Sequence, residues 1–157
     1  MQAQFVSPDP RCMPLLQGAD FADAYRLETA EPGLDAFTAA ERVMHRVPRW
    51  VLALIALRDL LVAPFGLKGS GNALPGGVSR LGLFPLISRT PEQVVLGMDD
   101  KHLDFRLVID ATATGDITGT TLVRTHNLFG RTYLRLIMPF HRLIVPHMIR
   151  GALSRHV

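Results

Sequence analysis

The sequence predicts an α+β fold in which a curved antiparallel sheet wraps a long C-terminal helix. Three observations carry that expectation. The last forty residues, 118–157, read as one strand, a short turn and one long amphipathic helix. His102 to Asp110 alternates, with Leu103, Phe105, Leu107 and Ile109 on one side and His102, Asp104, Arg106, Val108 and Asp110 on the other. That period of two is the mark of a half-buried antiparallel strand. Helical periodicity is otherwise confined to residues 35–63, ahead of the run of strands.

The elements follow in chain order. Residues 1–17 hold Pro8, Pro10 and Pro14 and show no period, so they read as an irregular arm, packed through Phe5, Met13, Leu15 and Leu16. Residues 18–157 read as a single domain. Phe21 to Glu28 is a strand with Tyr25 and Leu27 on one face. Glu31-Pro32-Gly33 makes a turn, and Asp35 caps a helix carrying Phe37, Ala40, Val43, Met44 and Val47. Pro48 ends that helix and starts a second, about Arg49 to Ala63, which is apolar on most sides and therefore buried on more than one. Arg58-Asp59 interrupts it, either as an exposed pair or with Arg58 turned towards a pocket.

Phe65 to Gly77 is a glycine-rich loop with neither a phosphate-cradling nor a dinucleotide-binding pattern. Strands are expected at Val78 to Ile87, bent by Pro85, at Gln93 to Met98, at His102 to Asp110 and at Ile117 to His126. Thr114-Gly115-Asp116 is read as the last hairpin loop. On a helical wheel Tyr133, Ile137, Phe140, Ile144 and Met148 fall within about 80° and Arg131, Arg135 and Arg142 lie nearly opposite. The apolar line is expected to face the sheet. Pro139 and Pro146, on the outer side, curve the helix or break it at Pro139.

The totals narrow the function. A 157-residue chain with 48% hydrophobic and 20% charged residues is one ordinary globular domain. The apolar run Trp50 to Leu57 is far short of the roughly 20 residues that span a bilayer. The N-terminus has no basic start or apolar core of a secretory signal. Cys12 is the single cysteine, which excludes an internal disulfide and points to a reducing cytoplasm. Net charge is +3, and all 14 acidic residues lie at or before Asp116. The six arginines after it are spread too thinly for nucleic acid to be favoured.

The order of strand, two helices, antiparallel strands and long helix is that of the helix-grip, or START-like, fold. Three stretches carry a further resemblance: Gly18 to Ala24, Leu96 to Arg106, and His126 to Tyr133 with Pro139-Phe140-His141 after it. They resemble a bacterial family known as domain of unknown function 2867. The resemblance covers most of the chain from about residue 16. It implies a START-like fold with a pocket, and no catalytic residues.

Candidate chemistry comes from the residues themselves. If the last hairpin loop has three residues, Asp104 lies opposite His126 with Arg124 diagonal to it. A carboxylate beside an imidazole suits general acid–base work, with His102 on the same strand face. The competing reading is a solvated cross-strand pair worth a few tenths of a kcal/mol. His126, His141 and His147 match no metal-ligand spacing, so no metal or other cofactor is expected. Gly130 is read as the hinge between strand and helix. Arg131, at the wrong end of a helix dipole, is expected to meet a carboxylate such as Asp104 or an anionic ligand.

The leading expectation is a domain that holds a small apolar or amphipathic ligand between sheet and long helix. Trp50, Phe105, Leu107, Tyr133, Ile137 and Phe140 would line the site, and Arg124, His126, His102 and Asp104 would add polarity. Two alternatives stand beside it. One is a cyclase- or hydrolase-like enzyme using Asp104 and His126, and the other an interaction module using the basic helix face. A homodimer is compatible with the sequence.

Overall fold

The computed structural model describes residues 2–29, 31–45, 49, 53, 80–81, 84–99 and 102–153, and the structural statements below concern these. Of the second helix expected at Arg49 to Ala63 only Arg49 and Ala53 are described; the rest of it, with Trp50 and Arg58, and the glycine-rich loop lie outside the described residues.

The chain is α+β. Its strands are β1 (Gln4–Val6), β2 (Phe21–Glu28), β3 (Arg80–Leu81), β4 (Phe84–Arg89), β5 (Gln93–Asp99), β6 (Leu103–Ala111) and β7 (Asp116–Thr125). They form one antiparallel sheet in the order β1-β2-β7-β6-β5-β4-β3. Two α-helices flank it, α1 (Ala36–Met44) and α2 (Leu128–Ile149), with 3₁₀ turns at Pro10–Leu16 and Arg150–Leu153. β2 has the expected bounds. The single strand expected at Val78 to Ile87 is instead β3 and β4, with a register shift between Leu86 and Ser88.

The arm is more ordered than its prolines suggest. β1 pairs with β2, and Phe5 meets the Tyr25 ring edge-on at 5.7 Å. Asp9 caps the 3₁₀ turn through the Arg11 N–H, and proline at the start of that turn removes only a donor that has no internal acceptor. The turn then delivers Cys12 and Leu15 onto Val95 and Val108.

Strand alternation therefore gives the sheet two covered faces. On one, Leu27, Val94, Leu96, Ile109 and Ile117 form the main core with α1 and the C-terminal end of α2. On the other, Val95 and Val108 lie under the arm. Arg42 ties the main core's rim together. It is nearly buried, donates to Glu31 at 2.7 Å and reaches the Ala152 carbonyl at 3.2 Å. Asp35 sits at the N-cap of α1 as expected, but its side chain makes no cap bond; the Ala36 N–H donates to the Pro91 carbonyl instead.

The register of the β6–β7 hairpin differs from expectation by two residues. Ala111 pairs with Ile117, so five residues rather than three form the connection, and Asp104 faces Arg124, not His126. The turn's own chemistry explains the length. The Thr112 N–H donates to the Asp116 carbonyl, and the Thr112 hydroxyl accepts from the Asp116 N–H at 3.0 Å. Gly115, at φ 97°, supplies the left-handed residue.

α2 runs unbroken through Pro139 and Pro146. Asn127 caps it, its side-chain oxygen accepting from the Gly130 N–H at 2.9 Å. Gly130 is helical, and its role is space rather than a hinge: a β-carbon there would collide with the His102 carbonyl. At the far end Gly119 gives the Ile149 side chain its seat on the sheet.

Replacing glycine by alanine inside a helix ordinarily stabilises by about 1 kcal/mol. Gly130→Ala is expected to reverse that sign and to destabilise by roughly 1–3 kcal/mol, because the obstacle is backbone. Urea denaturation of the two proteins measures the difference.

Candidate functional site

The sheet face turned towards α2 carries a buried aspartate–histidine contact. Asp23 lies on β2 between Phe21 and Tyr25, at the same parity as Leu27. It is 5% exposed. His141, on α2, reaches it from above: Nε2 lies 3.1 Å from Oδ1 and 3.0 Å from Oδ2 of Asp23. The imidazole also meets the Phe21 ring edge-on at 5.9 Å. Burial, with Asp23 nearby, raises the Tyr25 phenol above its ordinary pKa.

The register places the neighbours of this pair in two rows across the sheet. One row is Asp23, Thr121, Leu107 and Leu96; the next is Phe21, Val123, Phe105 and Met98. The Thr121 hydroxyl is buried, with no hydrogen-bond partner among the described residues. The rows are closed unevenly. Leu96 and Val123 are buried, whereas Leu107, Phe105 and Met98 are only half-buried although they lie on central strands. The Phe84 ring packs edge-on to Phe105 at 5.1 Å. α2 lies over β7 and β2, and α1 over β5 and β6. On the sheet between the strands they cover, Leu107, Phe105 and Met98 make a half-buried apolar floor with an imidazole, a carboxylate and a hydroxyl along one side.

Phe105 and Leu107 thus lie on the helix-facing side, and Tyr133 and Ile137 are half-buried one and two turns before His141. Phe140 is not with them. It is 45% exposed, because the line of α2 that meets the sheet runs through Leu134, Ile137, His141, Val145 and Met148, rotated by about 60° from the apolar line of the wheel.

The cluster around Asp104 is on the opposite face. Asp104 is 3% exposed, so it is not a solvated pair. Its oxygens meet the Arg124 guanidinium at 2.6 Å and Nε2 of His126 at 3.0 Å. Arg124 also donates to the Gln17 carbonyl at 3.1 Å, which fastens the arm there. Alternation decides the side: Leu103, Phe105 and Leu107 point towards the helices, so Asp104 points away. Arg124, His126 and Asp104 therefore add no polarity to the helix-facing floor. His102 joins neither group. Its Nδ1 accepts from the Asn127 side chain at 2.7 Å and its ring lies 4.6 Å from that of Phe129, which braces the start of α2. Arg131 is exposed, and the Asp104 oxygens meet Arg124 and His126 instead.

Among the described residues no three His, Cys, Asp or Glu side chains come together as a metal-binding group. His126 and His141 are on different faces, each with its own aspartate.

The Asp23–His141 pair was not singled out by the residue patterns. Its signal was present: an aspartate at an inward position of β2, and a histidine with Ile137, Met138, Ile144 and Val145 three and four residues away in α2. A carboxylate on an apolar face needs a donor.

Comparison with known proteins gives one match. A family model described as protein of unknown function (DUF2867) matches residues 15–148, so the chain belongs to that family. No curated protein and no solved structure matches.

Two measurements follow from this geometry. A double-mutant cycle with Asp23→Ala and His141→Ala is expected to give a coupling of about 1–3 kcal/mol. Coupling near zero would mean that the contact does not hold helix to sheet. Cys12 is 2% exposed, and burial, followed by the charge of Asp110, pushes its thiol up to about 11. At pH 8 its alkylation by iodoacetamide is expected to run roughly 100-fold slower than that of a free thiol, and to reach the free rate in denaturant.

Proposed function

We propose that this member of the family binds a small amphipathic molecule on the helix-facing side of its sheet, as a helix-grip, START-like domain. The apolar body would rest on Leu107, Phe105 and Met98, beside Tyr133 and Ile137 of α2. The polar end would meet His141 and the Thr121 hydroxyl. The observation that carries this reading is the Thr121 hydroxyl, buried without a hydrogen-bond partner among the described residues, in the same row as Asp23 and Leu107. A buried hydroxyl without a partner costs on the order of 1–3 kcal/mol, which a ligand oxygen would recover. Pockets of this kind combine an apolar lining with a few convergent polar groups. A hydroxyl or carbonyl group fits the donors present better than a charged carboxylate, because Asp23 already supplies negative charge.

A second reading is supported by the same contact. A carboxylate that accepts from Nε2 fixes the imidazole tautomer and leaves Nδ1 for proton transfer. That suits a cyclase- or hydrolase-like catalyst acting on a bound carbonyl compound. In this reading Asp23 is the positioning residue and His141 the acid–base group.

Native mass spectrometry of the purified chain, with 1-anilinonaphthalene-8-sulfonate as a displaceable apolar probe, tests the proposal. We expect a co-purified molecule of a few hundred daltons or saturable probe binding. Leu107→Trp, which fills the floor, is expected to weaken probe binding at least tenfold while the melting temperature holds. Neither a co-purified molecule nor saturable binding, or binding indifferent to Leu107→Trp, would overturn it. If His141→Gln abolishes turnover of an identified ligand but leaves its affinity within a few-fold, the second reading gains over simple binding.

A further inference from the structure

The rotation of α2 that turns His141 inwards leaves a second apolar line in solvent. Leu128 is 74% exposed, Leu136 68%, Leu143 70% and Phe140 45%. These four fall within an arc of about 120° on the side opposite His141. Arg131, Arg135 and Arg142, all exposed, run along one flank, and Arg150 follows the helix end. No acidic residue occurs after Asp116. A contiguous exposed apolar face on a helix marks a contact surface, and its charge names the partner.

Three partners compete. A second copy meeting the same face would bring two arginine rows together with no carboxylate on either helix to receive them. Nucleic acid would use the arginines, but three leucines at the centre offer nothing to phosphates or to base stacking. An anionic lipid surface uses both parts. Leucine and phenylalanine enter the boundary between headgroups and acyl chains, and the flanking arginines reach lipid phosphates with their stems laid on the apolar layer. No helix among the described residues is long and apolar enough to cross a membrane, so α2 would lie on it.

We propose that the outer face of α2, Leu136, Phe140 and Leu143 with Arg135 and Arg142, docks on an anionic bilayer surface. The helix axis lies parallel to the membrane, and the sheet and its helix-facing site remain on the water side. The exposure and charge of this face carry the inference independently of the ligand proposed above.

Co-sedimentation of the full chain with vesicles tests it, using phosphatidylcholine alone or with roughly 30% phosphatidylserine. Binding is expected at least tenfold tighter to the anionic vesicles, weakening as salt rises. Leu136→Gln with Leu143→Gln is expected to weaken it at least tenfold. Arg135→Gln with Arg142→Gln is expected to weaken it several-fold and to flatten the salt dependence. Both pairs are exposed, so circular dichroism and melting should be unchanged. As a second readout, Leu143→Trp is expected to add blue-shifted emission when anionic vesicles are present. Absence of binding, or binding indifferent to the leucine pair, overturns the proposal. So does a dimer in light scattering that the leucine pair dissolves, which would assign the face to a second copy. Tighter binding to duplex oligonucleotide, lost with the arginines but not the leucines, would assign it to nucleic acid.

Discussion

A carboxylate withdrawn from water costs several kcal/mol unless donors meet its oxygens, and Asp23 is met from α2 by a single imidazole nitrogen. That requirement sets how α2 turns about its own axis. With His141 held over Asp23, Tyr133 and Ile137 come to the same side and Met148 and Ile149 reach the main core. Two further contacts hold the ends of the helix close to the sheet. The Gly130 backbone lies against the His102 carbonyl, and Ile149 sits on Gly119. A side chain at Gly130 would press on the His102 backbone, and one at Gly119 would displace the Ile149 side chain from its seat. Three points spaced along 22 residues thus fix height and rotation together.

The sheet's other face shows the same logic with different partners. A sheet buried on both faces has strands that are apolar at both parities, as Val94, Val95 and Leu96 are on β5. The helices cover one side, and the arm, with only its 3₁₀ turn, covers part of the other through Cys12 and Leu15. Where the arm ends, Asp104 is buried against Arg124 and His126, and Arg124 hands the arm's last residue, Gln17, a hydrogen bond. Asp20 then receives the Thr125 N–H at 3.1 Å and its hydroxyl. Two aspartates therefore secure the entry of the arm into β2, while a third, Asp23, secures the helix. The arm is part of the fold's closure rather than an appendage.

Much of this was legible in the sequence, and the failures have physical causes. β2, β5, β6 and β7 follow from alternation and turn residues, and the family follows from three short stretches. The hairpin register departs from the strand period because Thr112 extends the turn through bonds to Asp116, a contact no strand period reveals. The arm was read as irregular because proline excludes α-helix and central strand, yet Pro10 and Pro14 are both accommodated in a 3₁₀ turn. The sequence reads Gly130 as a hinge, whereas what it supplies is room for the His102 carbonyl, a neighbour no local pattern reveals. The residue pairs of the site are non-local: Asp23 and His141 stand 118 positions apart, and neither alone forms a motif.

The misplacement of Phe140 shows what an apolar wheel can and cannot decide. α2 has apolar residues around most of its circumference, so their vector average points between two stripes rather than along either. One stripe meets the sheet and includes a histidine, which an apolar count discards. The other is led by Leu136, Phe140 and Leu143, flanked by arginine, and stands in solvent. The discarded residue held the information. A polar group within an inward stripe on one element demands a polar group within an inward stripe on another, and such a demand is met by few rotations. In this fold that pairing separates a side of α2 suited to the sheet from one suited to an external surface. The same helix thus covers the sheet with one side and holds an apolar, arginine-flanked side in solvent.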